Sequence, residues 1–87
     1  MVKVSIPLLL KDVTGGSREA NIEGSTVREV VAALDAIYPG IGQRICKGEK
    51  ISPNIAIVVD GKIAAEGLDT PVGPEAHVGL LPAFGGG

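Results

Sequence analysis

Eighty-seven residues with a net charge of −2 hold one domain and leave no room for a second core. The chain has 26 Ile, Leu and Val residues but one Phe, one Tyr and no Trp, so its core has to be aliphatic and built from many small contributions. Acids and bases are mixed, with no basic run to follow a phosphate backbone and no aromatic pair for base stacking, which argues against nucleic-acid binding.

Val2, Val4, Ile6, Leu8 and Leu10 recur at every second position, the period of a half-buried strand. Pro7, on the opposite parity, donates no backbone hydrogen bond, and a bulge or unpaired stretch is expected there. The same opening, "MVKVSIPLLLK", is too interrupted by Lys3, Ser5 and Pro7 to read as a signal peptide. No segment approaches the ~18 continuous apolar residues that a bilayer span requires. "DVTGG" is rich in turn formers, and "SREANIE" returns with Ala20 and Ile22 as its apolar members, which predicts a hairpin.

"GSTVREVVAALDAIYPG" predicts the main helix. Thr26 and Glu29 have capping-box spacing, in which each side chain satisfies an amide at the helix start. Val27, Val30, Val31, Leu34, Ile37 and Tyr38 then form one apolar stripe, and Pro39-Gly40 stops the helix. Ile41 and Ile45 can anchor one further helical turn, with "KGEK" as a surface loop. "NIAIVVDGK" predicts a strand apolar on both faces, Asp60-Gly61 a tight hairpin turn and "KIAAE" its return. "GLDTPVG" reads as a turn-rich connection and "AHVGLLP" as the last strand. One helix across a mixed sheet of four to five strands makes an α+β roll.

The usual catalytic candidates fail. His77 is the sole histidine, and no Cys-x-x-Cys or other ligand cluster supports a metal. Cys46 reads as a small hydrophobe rather than a nucleophile, and a single thiol suits a reducing, cytoplasmic setting. Gly15-Gly16 and the terminal glycines lack the flanking pattern of a phosphate-binding loop. By composition the chain is not an enzyme. What remains is the end, "LLPAFGGG". The terminal glycines are either an idle frayed end or a handle whose carboxylate, with no Cβ beside it, can enter another protein's channel. Six extended residues reach roughly 20 Å.

The motifs "SIPLLLKDVTGG", "GSTVREVVAALDAIYPGI", "GLDTPV" and "LLPAFGGG" resemble the β-grasp (ubiquitin-like) sulfur carriers, the family that includes ThiS, MoaD and CysO, and are most similar to its CysO-like branch. Tails in that branch commonly read Pro-Ala-Val-Ala-Gly-Gly; here Phe84 and Gly85 stand in for Val and Ala, while Gly86-Gly87 keep the terminal pair. "GPEAH" and "DGKIAA" replace acidic and acidic-then-Arg loops of that branch. The resemblance implies a β-grasp domain over residues 1–82 and a flexible glycine tail over 83–87. It also implies a Gly87 carboxylate that an E1-like adenylyltransferase/sulfurtransferase activates and converts to a thiocarboxylate. ATP and magnesium would belong to that partner, with no cofactor bound by this chain. The further partners it implies are a sulfur-accepting biosynthetic enzyme, with cysteine as the leading product, and a metalloprotease that frees the tail. Gly86, Gly85, Phe84 and Ala83 would form the tail, and Phe84, Leu81 and Val58 an exposed apolar patch for the partner. Three alternatives stay open: the small subunit of a molybdopterin synthase, a ubiquitin-like modifier joined to lysines through Gly87, and an interaction module with idle glycines.

Overall fold

The computed structural model describes residues 1–83; the expectations for Phe84, Gly85, Gly86 and Gly87 lie outside the described residues. β1 (Val2–Ser5) starts with the expected alternation, and Val2, Val4 and Ile6 are buried. The strand does not continue to Leu10. Pro7 cannot feed a sheet ladder, and the chain coils beyond it into a 3₁₀ turn, Leu8–Leu10, closed by the Leu10 N–H donating to the Pro7 carbonyl at 3.1 Å. The change of period turns Leu10 inward and leaves Leu8 60% and Leu9 45% exposed, against the expectation that Leu8 faces the core.

"DVTGG" is likewise no tight hairpin turn. Lys11–Thr14 form a short helix, α1, ended by Gly15 at a left-handed φ of 70° that suits a residue without a Cβ. β2 (Glu19–Ile22) then pairs antiparallel with β1, Val2 opposite Ile22 and Val4 opposite Ala20.

The main helix, α2 (Val27–Ile37), begins as its sequence specifies. The Thr26 hydroxyl accepts from the Glu29 N–H at 3.2 Å, and the Glu29 carboxylate accepts from the Ser25 N–H at 2.8 Å. Val27, Val30, Val31 and Leu34 are buried, worth about 1.5–3 kcal/mol apiece before chain entropy is subtracted. Ile37 departs from the predicted stripe at 51% exposure, because the helix's last turn runs past the edge of the sheet-facing core. Asp35 secures the exit: its carboxylate accepts from the Gly40 and Gly42 N–H groups at 3.1 and 2.9 Å, which turns the chain into α3 (Ile41–Ile45). Both isoleucines of that short helix are fully buried, as their spacing predicts.

The "KGEK" loop is the tip of a small hairpin between β3 (Cys46–Lys47) and β4 (Lys50–Ile51), an element that the sequence pattern does not reveal. β5 (Ile55–Val59) and β6 (Lys62–Ile63) are joined by Asp60 and Gly61, with φ of 50° and 83°, the two positive angles of a type I′ turn. A 3₁₀ turn at Gly67–Asp69 leads to a segment clipped against the start of α2, with the Val27 N–H donating to the Thr70 carbonyl and the Val72 N–H to the Ser25 carbonyl. β7 (His77–Pro82) ends the described chain in the middle of the sheet, parallel to β1 and antiparallel to β5. The sheet order is β2-β1-β7-β5-β6, and the buried aliphatic side chains of its inner face pack with those of α2 and α3 in one core. No helix among the described residues is long and apolar enough to cross a membrane.

Candidate functional site

Central placement makes β7 two-sided. Val78 and Leu80 point into the core, 0% and 2% exposed, so His77, Gly79 and Leu81 must occupy the sheet's opposite face. Pairing places Leu81 opposite Ala56, and Val58 between Gly79 on one side and Ile63 on the other. Leu81 is 48% and Ile63 74% exposed, with Val58 half-buried between them. A Cβ added at Gly79 would lie 4.0 Å from the Val58 Cβ. Because Gly79 has none, a shallow open groove of about 360 Å³ runs past Val58 and Leu81.

The groove's polar end is organised. Ser5 Oγ and His77 Nε2 are 2.7 Å apart, and the Asp60 carboxylate accepts from the His77 main-chain N–H at 2.9 Å. Asp60 thus braces the backbone and leaves the imidazole without a carboxylate to orient it, unlike the arrangement that activates a serine. Exposed aliphatic side chains beside a polar rim are the kind of surface that often marks an interface on a small protein.

Leu81 and Val58, expected in the partner patch, therefore do share one face. Ala83 is half-buried at the root of the tail, its N–H donating to the Asn54 carbonyl at 2.9 Å. Phe84, Gly85, Gly86 and Gly87 lie outside the described residues. The sequence reading misses Ile63 and Gly79. Ile63 was legible: a two-residue turn at Asp60-Gly61 fixes Val59 opposite Lys62 and Val58 opposite Ile63. Gly79 carries no such signal, because its importance depends on which strand lies beside it.

His77 is an exposed strand residue bonded to a neighbour, as expected. Cys46 is half-buried against the core, and burial pushes its thiol pKa up, with the Arg28 cation opposing and the Glu49 carboxylate adding to the rise. A protonated thiol is a poor nucleophile. Arg44, close in sequence, is turned elsewhere: it donates to the Asp12 carboxylate at 2.7 Å and to the Leu9 carbonyl at 3.2 Å. The Arg44 hydrogen bond holds the Asp12 carboxyl below its usual range. No group of three or more His, Cys, Asp or Glu residues among the described residues could hold a metal ion.

A mixed five-stranded sheet with a parallel central pair and one long helix across one face defines a β-grasp, ubiquitin-like protein. Within that class the chain belongs to the ThiS family, whose sequence model matches residues 4–87. Sulfur carrier protein CysO of Mycobacterium tuberculosis (strain ATCC 25618 / H37Rv) is 33% identical over 93 residues, spanning 99% of this chain and 98% of that protein. A chain in the crystal structure of the Amycolatopsis orientalis BexX/CysO complex matches with a TM-score of 0.91 at 32% identity, with 100% of both chains covered. The solution structure of small archaeal modifier protein 1 (SAMP1) from Methanosarcina acetivorans matches with a TM-score of 0.80 at 28% identity, covering 99% of this chain and 95% of that one.

Proposed function

We propose that this protein is a sulfur carrier: a rigid body that presents the Gly87 carboxylate to enzymes that charge it with sulfur and then unload it. The observation that carries this reading is the 33% identity to sulfur carrier protein CysO over nearly the full length of both chains, together with a family match that runs through Gly86-Gly87 to residue 87.

The chemistry follows from what a carboxylate lacks. Its charge is delocalised, and oxide is no leaving group. An E1-like partner holding ATP and magnesium lets a Gly87 oxygen attack the α-phosphorus, releasing pyrophosphate and forming an acyl-adenylate. A sulfur donor then adds at the carbonyl carbon and AMP departs with its bonding electron pair, leaving a thiocarboxylate. Sulfur carries the negative charge readily and is a strong nucleophile. A biosynthetic enzyme takes that sulfur into cysteine or another metabolite. Glycine accepts whatever backbone angles the two channels impose.

The chain's own part is recognition. Leu81, Val58 and Ile63 form the face that docks on the E1-like partner, with Ala83, Phe84 and Gly85 leading Gly86-Gly87 into its channel. The likeness to a BexX/CysO complex supports a role in which this fold works bound to another protein. Deleting Gly86 and Gly87 tests the reading: the truncated protein should keep its melting temperature and lose all sulfur loading by the host's activating enzyme. Undiminished sulfur transfer would contradict it.

The match to SAMP1 favours a second use of the same handle, conjugation of Gly87 to lysines of other proteins. That reading expects a ladder of heavier conjugates in host lysate probed for this chain. Sulfur loading without a ladder leaves the carrier role alone.

A further inference from the structure

A second apolar surface lies where β7 ends. Ala83, the last described residue, lines a groove of about 200 Å³ with Leu9 and Leu10 from the 3₁₀ turn, Arg44 from α3, Asn54, and Ile55 from β5. Leu10 and Ile55 are core residues and make an aliphatic floor. Leu9 is a half-open wall, and Leu8, next to it in the chain, is still more exposed. The Arg44 guanidinium is paired with the Asp12 carboxylate at 2.7 Å, so it brings no unbalanced charge to the groove.

The turn that carries these leucines is held in place. Its Leu10 N–H donates to the Pro7 carbonyl at 3.1 Å, and the Leu9 carbonyl accepts from Arg44 at 3.2 Å. Two large apolar side chains therefore stand in water on a fixed backbone. Covering them gains apolar burial and costs little backbone order.

We infer that Leu8, Leu9 and this groove are a second docking surface for the E1-like enzyme, which fills the groove with an apolar side chain from its channel mouth, an occupant that rests on the carrier role proposed above. Chain length ties the groove to that enzyme. Four residues follow Ala83, and an extended chain spans at most ~3.5 Å per residue, so the Gly87 carboxylate stays within roughly 14 Å of Ala83. A channel that keeps water from an acyl-adenylate at Gly87 has to close around the chain near Ala83. Leu81 lies two residues before Ala83 on the outer face, whereas the groove's floor belongs to the inner face. The chain thus leaves between two apolar surfaces, and a partner seated on Leu81 and Val58 alone would leave one side of the exit bare. The floor's aliphatic lining and the paired state of Arg44 call for an aliphatic or aromatic side chain in the groove, not a charged one.

Calorimetry with the full-length protein and its host's activating enzyme tests this. Replacing both leucines (Leu8→Ala with Leu9→Ala) should weaken binding about tenfold while the melting temperature stays near the parent's. Methyl cross-saturation from the enzyme to the parent protein reads the same contact without a substitution: Leu8 and Leu9 should be saturated together with Leu81. Undiminished affinity of the double variant, or saturation of Leu81 without Leu8 and Leu9, would overturn the second surface and leave the carrier reading standing wherever the parent still gains sulfur. Leu8 and Leu9 methyl shifts that change on diluting the free protein would assign the groove to a second copy and overturn the inference. A parent protein that neither binds the enzyme nor gains sulfur would contradict the carrier reading itself, and the groove's occupant with it.

Discussion

The two faces of β7 are made from neighbouring residues of one strand and answer to different demands. Leu80 is 2% exposed and belongs to the buried core, whereas Leu81, one residue on, is 48% exposed. Inward parity collects Val4, Ile57, Val78 and Leu80 into the core that holds the fold; outward parity collects Leu81, Ala56, Val58 and Ile63 around the hollow at Gly79. In a domain of this size the inner face cannot give up much, because only about 60–65% of the unfolded surface is buried on folding. The outer face contributes little to folding and is free to be shaped for a partner. The comparison teaches that the face that holds the fold and the face proposed for recognition are separated by strand parity, not by distance.

Leu80→Ala should break the inner face with the largest effect, destabilising the domain by about 2–5 kcal/mol through lost burial and the cavity left behind. Denaturant unfolding measures it, and a loss under 1 kcal/mol would mean that the faces are less distinct than their exposures indicate. Leu81→Ala sharpens the contrast from the other side. Its unfolding free energy should stay within about 0.5 kcal/mol of the parent, while affinity for the E1-like partner, read by calorimetry, falls about tenfold, equivalent to ~1.4 kcal/mol. A Leu81→Ala protein that melts early but binds normally would reverse the assignment of the two faces.

Away from the sheet, Thr26→Ala should cost about 1 kcal/mol by removing the hydroxyl that caps α2, with partner affinity unchanged. The smallest effect belongs to the exposed Asp12–Arg44 pair. The Asp12 carboxyl is held low in the folded state, so its contribution is complete above the ordinary aspartate range and is lost as pH falls through the lowered value. Asp12→Asn should therefore differ slightly from the parent near neutral pH and converge with it in acid; a gap that widened in acid would contradict the pairing.

Much of this architecture was legible in the residues. Thr26 and Glu29 mark the start of α2 through local hydrogen bonds, and Asp60-Gly61 marks a hairpin because two consecutive positive φ values suit few other pairs. Both signals are local, so the sequence carries them whole. After Pro7 the pattern misleads, because Leu8 and Leu10 keep strand spacing while the backbone loses its ability to pair; a change of period, not of composition, exposes Leu8. Ile37 kept the helical period but lay past the sheet it was expected to cover. The hairpin of β3 and β4 has only two residues per strand, too short to leave an alternation. At the site, Leu81 and Val58 were readable as partners on one face, whereas the hollow at Gly79 exists only because β7 lies between β1 and β5.

The account rests on Gly87 as a chemical handle, and intact-mass spectrometry of this protein, incubated with its host's activating enzyme, ATP, magnesium and a sulfur donor, tests that most directly. The predicted product is heavier by the exchange of one oxygen for one sulfur, with fragmentation placing the change on the C-terminal glycine. Sulfur found on Cys46 instead, or an unmodified terminus after complete ATP turnover, would contradict it.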